Sequence, residues 1–478
     1  METLSLEHVQ FMMAQIFNLA PHDFEIIVPT KISEELNTFV VKLTMNEAVC
    51  PYCGSTHVVI KDYNKRKITH QMLAGKNTQL IYLSRRLTCK HCSKTFMETN
   101  PFSHDKSRIS IKTIDLVMKD LENPNETFST VARRYNISNT TVINIFDKHY
   151  TTPKVVLPKR LCIDENYAFK STEENSKYVC VLLDFDTRRI VDILPSRKLD
   201  YLREYLQSFK KEERAKVELV CSDMWDSYRT ITDDYFPQAK HVIDLFHLKK
   251  EFYSKLDQIR IKVMKEFKKN DEDSVEYYLL KNFNWMLWGD DQRFYNSASK
   301  RKYNRKLKQY LSLLDIYELL LDTHPLLTEG VALKDELNDF FENNNIETAS
   351  KAFTKLVNSF ANSSDESFTS FAGTLVKWKW SIINYFINVG DPKKDEVRHI
   401  SNGLIENRNK IIKEIKYSAN GYKNFERFKA RILYSINKEY DRYLINPDSI
   451  MVNYKRAKGQ ENCKRHMRGE SRKYNKRK

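Results

Sequence analysis

LCIDENYAFKSTEENSKYVCVLLDFDTRRIVDIL, residues Leu161 to Leu194, decides the fold. Three β-prone runs lie in and just before it: Arg160 to Asn166, Tyr178 to Asp184 and Arg189 to Leu194. Short polar turns separate them, so the pattern predicts an antiparallel meander. Downstream the texture alternates, with a helix at Leu199 to Phe209, a strand at Val217 to Ser222, a helix near Asp226 to Asp233 and a strand at His241 to Leu245.

Three meandering strands followed by alternating helix and strand is the ribonuclease H-like order, in which the first and fourth strands lie side by side. Asp164 falls inside the first of them (LCIDE) and Asp223 ends the fourth (ELVCSDMW). A carboxylate in an apolar strand is costly to bury unless it is paired or metal-bound. Shared Mg2+ or Mn2+ ions, which prefer hard oxygen ligands, account for both aspartates. A third ligand is expected from SNGLIENRNKIIKEIK, Ser401 to Lys416. Leu404, Ile405, Ile411, Ile412 and Ile415 form its apolar side, and Asn402, Glu406, Asn409, Lys410 and Lys413 a polar stripe. Glu406 is expected to point at the aspartates, and Asn409, Lys410 and Lys413 at DNA. Glu165, Asp184, Asp186, Asp226 and Asp244 also lie near strand ends, where solvated turn residues and salt-bridge partners are the ordinary reading. Asp244 is the first reserve, because it closes the strand neighbouring that of Asp223; His247, three residues on, either assists or packs.

Upstream, CPYCGSTH (Cys50 to His57) and CKHCSKTF (Cys89 to Phe96) are two Cys-x-x-Cys knuckles. That spacing lets Cys50, Cys53, Cys89 and Cys92 close one tetrahedral Zn2+ site, with His57, His70 and His91 left as surface histidines. The ion would supply folding energy that so small a module cannot obtain from burial. The stretch FSTVARRYNISNTTVINIFDKHY, Phe128 to Tyr150, then reads as a helix-turn-helix. Val131, Ala132, Val142, Ile145 and Phe146 turn inward, which frees Asn139, Thr140, Thr141 and Asn144 to face a major groove.

Composition agrees with this reading. Lys and Arg outnumber Asp and Glu by 79 to 63 over 478 residues, a formal charge of +16 that favours a polyanionic partner. Lys455 to Lys478 hold eleven basic and two acidic side chains, as a backbone-binding arm would. No apolar run spans a membrane, and Glu2 and Glu7 oppose a secretory signal, so a cytoplasmic, nucleoid-associated protein is expected. The fold class is therefore a multidomain α+β / α/β chain. Its zinc-ribbon-like module occupies residues 1–100, the helix-turn-helix 101–150 and a linker 151–159. A ribonuclease H-like mixed sheet follows in two parts, 160–248 and 396–445, interrupted by a large α-helical insertion, 249–395, and a basic tail takes 446–478. The insertion should contain long helices at Phe246 to Lys268 and Leu311 to Leu321, with Trp285, Trp288, Trp378 and Trp380 in packing roles or, for one of them, stacked on a base.

Four motifs carry a resemblance to a known family: IDENYAF around Asp164, CSDMWDSY around Asp223, FPQAKHVIDLFHLKK, and SNGLIENRNKIIKEIKYSANGYKNFERFKARI. With the knuckles and the helix-turn-helix, the chain resembles the DDE transposases of the ISL-three family of bacterial insertion sequences over nearly its whole length. Leu245, where the family commonly has arginine, and Asn407, where it often has glycine, depart from the pattern. The resemblance implies that Asp164, Asp223 and Glu406 bind two catalytic Mg2+ or Mn2+ ions, and that the enzyme hydrolyses DNA at transposon ends and joins the 3′-hydroxyls to target DNA. It further implies double-stranded DNA partners, the terminal inverted repeats and the target, and a homodimer bridging two ends. A ribonuclease H-like nuclease or resolvase that cuts without joining, and a non-catalytic DNA-binding regulator, are the rival readings.

Overall fold

The computed structural model describes residues 11–437, apart from 12–13, 16, 18, 33–35, 46–47, 74, 105–106, 170–175, 290 and 395; the expected basic tail lies outside the described residues. The chain forms two compact units, Met1–Lys154 with Ile411–Lys478, and Val155–Lys410.

In the first unit, β1 (Phe24–Ile32), β2 (Leu36–Leu43), β3 (Val58–Leu73), β4 (Lys76–Cys89) and β5 (Thr95–Met97) make one sheet, ordered β1-β2-β4-β3 with β5 on β4. The long β3/β4 hairpin sets Val58 opposite Cys89. One knuckle precedes β3 and the other follows β4, so the hairpin brings all four cysteines to one end. Each knuckle closes on a left-handed residue directly after its second cysteine, Gly54 at φ 73° and Ser93 at φ 58°. Glycine takes that conformation at no steric cost. Ile27, Val41, Ile68, Leu80, Tyr82 and Phe102 form the core under this sheet.

Three helices follow, Ile111–Asp120, Phe128–Arg134 and Asn139–His149, each begun by a side-chain cap from Ser110, Thr127 and Ser138. Asn136, at φ 49°, makes the tight turn between the last two. A further helix, Phe425–Ile436, completes this bundle. Its Arg431 is fully buried and donates to the carbonyls of Asn123 and Glu126 at 2.8 and 2.9 Å. The Tyr434 hydroxyl donates to the Met118 carbonyl at 2.8 Å, and its ring packs edge-on against Phe146 and Tyr150. The compact units divide after Lys410, inside helix Gly403–Ser418 and within the segment 396–445 expected to belong to the catalytic sheet.

The second unit is built on β6 (Arg160–Asn166), β7 (Val179–Asp184), β8 (Ile190–Leu194), β9 (Leu219–Ser222) and β10 (Lys240–Ile243), ordered β10-β9-β6-β7-β8. β6, β7 and β8 are antiparallel, whereas β9 and β10 run parallel to β6, which is the ribonuclease H-like arrangement. Leu161, Ile163, Leu182, Leu194 and Val220 project from one side of the sheet into a core shared with Leu202, Leu206, Tyr228 and Ile231 of helices Leu199–Gln207 and Asp226–Tyr235. After β10 the chain enters a helical body whose first member runs Leu245–Asn270. Phe252, Phe360, Phe368 and Phe371 interlock at its centre. Gly330 lets helix Pro325–Glu342 approach closely there, since a Cβ would meet Leu256 Cδ1 at 2.5 Å. Leu311 closes a short strand instead of opening the next helix, which spans Leu313–Leu321. Trp378 is buried beside His241, Trp285 and Trp288 are half-buried, and Trp380 is exposed. Among the described residues no helix is long and apolar enough to cross a membrane.

Candidate active site

Two parallel registers build the site. β6 pairs with β9 so that Arg160, Leu161 and Cys162 lie opposite Leu219, Val220 and Cys221; β9 pairs with β10 so that Ser222 lies opposite Ile243. Carried to the strand ends, these registers align Asp164, Asp223 and Asp244 in one row across three neighbouring strands. The Asp244 N–H donates to the Ser222 carbonyl at 2.8 Å, which holds the row at its outer edge.

The electrostatics follow from this crowding. Burial, reinforced by the Asp223, Glu165 and Asp244 charges, pushes the Asp164 carboxyl up to about 7 despite a hydrogen bond donated by the Glu165 backbone N–H. Asp223 is pushed up to about 6 by burial and by Glu165, with His247 and Arg197 pulling the other way. Asp244 is only 3% exposed and is raised by burial, opposed by His247 and reinforced by Glu406. Oδ1 of Asp223 and Oδ2 of Asp244 are buried without a hydrogen-bond partner. Buried carboxylate oxygens without a hydrogen-bond donor at the strand ends fit a bound cation, since His247 Nε2 approaches Asp244 Oδ2 only to 3.8 Å.

Helix Gly403–Ser418 brings Glu406 to Asp244 and His247, and one ligand atom from each of the three lies within 4.8 Å of the others. Asp164 and Asp223 fall outside that trio. Glu406 therefore reaches the row of aspartates from the Asp244 side. Asn409, expected at DNA, is a correction: it is buried, and its carboxamide is committed inside the protein. Its Nδ2 donates to Asp164 Oδ2 at 2.8 Å, and its Oδ1 accepts from Asn166 Nδ2 at 2.9 Å. Seven residues earlier, just before the helix begins, Asn402 Nδ2 donates to the Ile163 carbonyl at 3.0 Å. The polar stripe thus faces the sheet at Asn402, Glu406 and Asn409, while Lys410 and Lys413 are exposed. Two residues not foreseen complete the surroundings, Asn166 and Arg197. Arg197 pairs with Glu165 and lies over the rings of Tyr178 and Trp225, 4.4 and 4.8 Å from their centroids. No local pattern in the sequence marks it, since its partners come from three separate segments.

In the other unit, Cys50 Sγ and Cys92 Sγ are 3.6 Å apart, as are Cys53 Sγ and Cys89 Sγ. All four lie within 4.8 Å of one another, a set that fits one tetrahedral ion. The Cys92 and His91 amides push the Cys89 thiol down to about 6, whereas, against a backbone hydrogen bond at Ser55, burial and the neighbouring sulfurs push Cys53 up to about 12. On the recognition helix Asn139, Thr140 and Asn144 are exposed. Thr141 is half-buried and engaged with the Ser138 cap, its hydroxyl 2.7 Å from that of Ser138.

A ribonuclease H-like sheet with carboxylates gathered at its strand ends, preceded by a zinc ribbon and a helix-turn-helix, defines a DNA-recombining class of protein. Residues 161–432, more than half the chain, match the family model described as Transposase for the ISL3 group. Residues 46–92 match the zinc finger of transposases IS204/IS1001/IS1096/IS1165, and residues 98–150 match the helix-turn-helix domain of transposase family ISL3. The chain belongs to this family of transposases. It is 23% identical over 399 residues to the transposase for insertion sequence element IS1001 of Bordetella parapertussis, covering 82% of this chain and 89% of that protein. The zinc-ribbon match, with its four clustered cysteines, supports a structural zinc.

Proposed function

We propose that this transposase binds the terminal inverted repeats of its insertion sequence, hydrolyses DNA at the transposon ends and transfers the freed 3′-hydroxyls into target DNA. The observation that carries the proposal is the row Asp164, Asp223 and Asp244 with Glu406 beside it, in which Asp223 Oδ1 and Asp244 Oδ2 are buried without a hydrogen bond.

On this reading Asp164, Asp223 and Glu406 hold two Mg2+ or Mn2+ ions, and Asp244 contributes from the middle of the set. Bound there, the ions would activate an attacking oxygen and neutralise a leaving one in phosphoryl displacement. The chain itself supplies the rest. Asn409 fixes Asp164 in orientation by hydrogen-bonding one of its oxygens. Arg197, held by Glu165 and two aromatic faces, offers a positive edge to a phosphate. Water as nucleophile cuts a strand and a DNA 3′-hydroxyl joins one, so one site serves both steps. Asn139, Thr140 and Asn144 read bases at the end, Lys410 and Lys413 contact backbone phosphates, and a homodimer bridges two ends.

A precut terminal-repeat oligonucleotide incubated with target DNA and Mg2+ tests this. Joined product is expected; cutting without joining would assign the site to a nuclease, and binding alone to a regulator.

A further inference from the structure

The helical body of the second unit carries a hairpin that none of this chemistry uses. β11 (Lys302–Asn304) and β12 (Gln309–Leu311) pair antiparallel, with Tyr303 opposite Tyr310. Side chains alternate along a strand, so Asn304 and Leu311 face away from the tyrosines. That inner face is pinned. Leu311 and, from the turn, Leu307 pack against the helical core, and Asn304 Nδ2 donates to the Tyr278 hydroxyl at 3.2 Å. Asn304 Oδ1 also accepts from the Lys306 and Leu307 amides at 3.0 and 3.1 Å, which fixes the turn.

The outer face is unlike an ordinary solvated surface. Tyr303 and Tyr310 are 52% and 68% exposed, with ring centroids 5.2 Å apart. Six cations, Lys300, Arg301, Lys302, Arg305, Lys306 and Lys308, crowd into nine residues, and no acidic residue occurs from Gln292 to Leu314. Lys306 pairs with Asp273 at 2.8 Å and Arg301 reaches Asp315 at 3.5 Å. Arg305 and Lys308 remain exposed beside the tyrosines, and Lys302 is exposed opposite Leu311, on the other face. A cross-strand tyrosine pair adds modestly to a hairpin, but stability alone gives no reason to surround it with unbalanced positive charge. Flat aromatic faces beside cations match a polyanion that presents flat faces of its own. Single-stranded nucleic acid does so, whereas duplex hides its bases in the stack.

We propose that this hairpin is a single-strand-binding finger: Tyr303 and Tyr310 stack on unpaired bases of a DNA strand while Arg305 and Lys308 neutralise its phosphates. The proposal does not depend on the carboxylates or their ions. The site would engage the strand exposed when a duplex end is opened or distorted.

The test uses the full chain and a short oligonucleotide containing 2-aminopurine, single-stranded or annealed to its complement. Stacking quenches the probe, so the signal reports the tyrosines and is insensitive to other basic surfaces. The wild-type chain should quench the single strand, and Tyr303→Ala with Tyr310→Ala should remove the quench and weaken single-strand affinity by about tenfold or more. The Tyr303→Phe, Tyr310→Phe chain should behave as wild type, because the hydroxyls are not used. Folding is checked by an unchanged melting temperature and unchanged affinity for terminal-repeat duplex. Full quenching and affinity in the alanine chain overturn the proposal. So does a change in sedimentation without loss of quenching, which would make the hairpin a protein contact.

Discussion

Asn409 Nδ2 donates to Asp164 Oδ2 at 2.8 Å, tying a helix amide to a carboxylate in the central strand of the sheet. Asn166 donates back to both oxygens of Asn409, so the amide cannot flip without losing a partner. Such an outer contact typically sets metal affinity or activity by about 10- to 100-fold. Asn409→Ala should weaken Mn2+ binding and cleavage on that scale and leave terminal-repeat affinity unchanged. Titration calorimetry with Mn2+ separates this from a DNA-contact role, in which duplex affinity would fall instead.

Asp164→Ala and Asp223→Ala should each abolish cleavage while the chain still binds terminal-repeat duplex. Retained cleavage in either would defeat the assignment.

The same aspartates set the response to pH. A carboxyl whose folded pKa is raised contributes stability that is present below its unfolded value and lost as pH rises through the folded one. For Asp164 that loss falls between about 3.8 and about 7, and for Asp223 between about 3.8 and about 6. Above pH 7, without divalent ions, the two charges oppose folding. Asp223→Asn should therefore raise the metal-free melting temperature at pH 8 and reduce the further rise that Mn2+ produces in wild type. A variant that melts lower and responds to Mn2+ in full would contradict the crowding.

His241 titrates in the opposite sense. Burial pushes it down to about 3, between the hydroxyls of Ser222 and Ser381, each 2.9 Å away. Its contribution is present above about 6.5 and is lost as pH falls towards 3, at a slope of up to about 1.4 kcal/mol per unit. His241→Asn should flatten the stability profile between pH 6 and pH 4, measured by denaturant unfolding at each pH.

Removing zinc with a chelator, or substituting Cys89→Ser, should unfold the ribbon and lower terminal-repeat affinity. Elemental analysis verifies the loss, and unchanged affinity after it would separate the ribbon from end recognition.

Much of this architecture was readable in the chain. Asp164 stood out because an acid amid Leu161, Cys162 and Ile163 needs a reason, and the Cys-x-x-Cys spacing carries its own geometry. The role of Asn409 is not legible in the sequence, because helical periodicity sorts polar from apolar faces without saying what the polar face meets; here it meets the Asp164 carboxylate, not solvent. Asp244 stands out in the sequence as the reserve ligand because its strand neighbours that of Asp223, but the β9/β10 register that sets the two level is not legible there. Arg431 shows the same limit. Its helix has a clear apolar side, but nothing local states that the partner is a bundle some 300 residues upstream, where its guanidinium meets the Asn123 and Glu126 carbonyls. The β11/β12 hairpin, with three-residue strands, was too short for any periodicity to register.

The late position of Glu406 and of helix Phe425–Ile436 bears on how the protein is made. A ribosome releases the ribbon, the first three bundle helices and all five strands of the catalytic sheet long before either arrives. A chain that stops early, through a frameshift or a nonsense codon, therefore lacks the third proposed ligand and also the helix that seals the bundle. Decay of the gene from its 3′ end would yield products that neither cut DNA nor compete well for its ends.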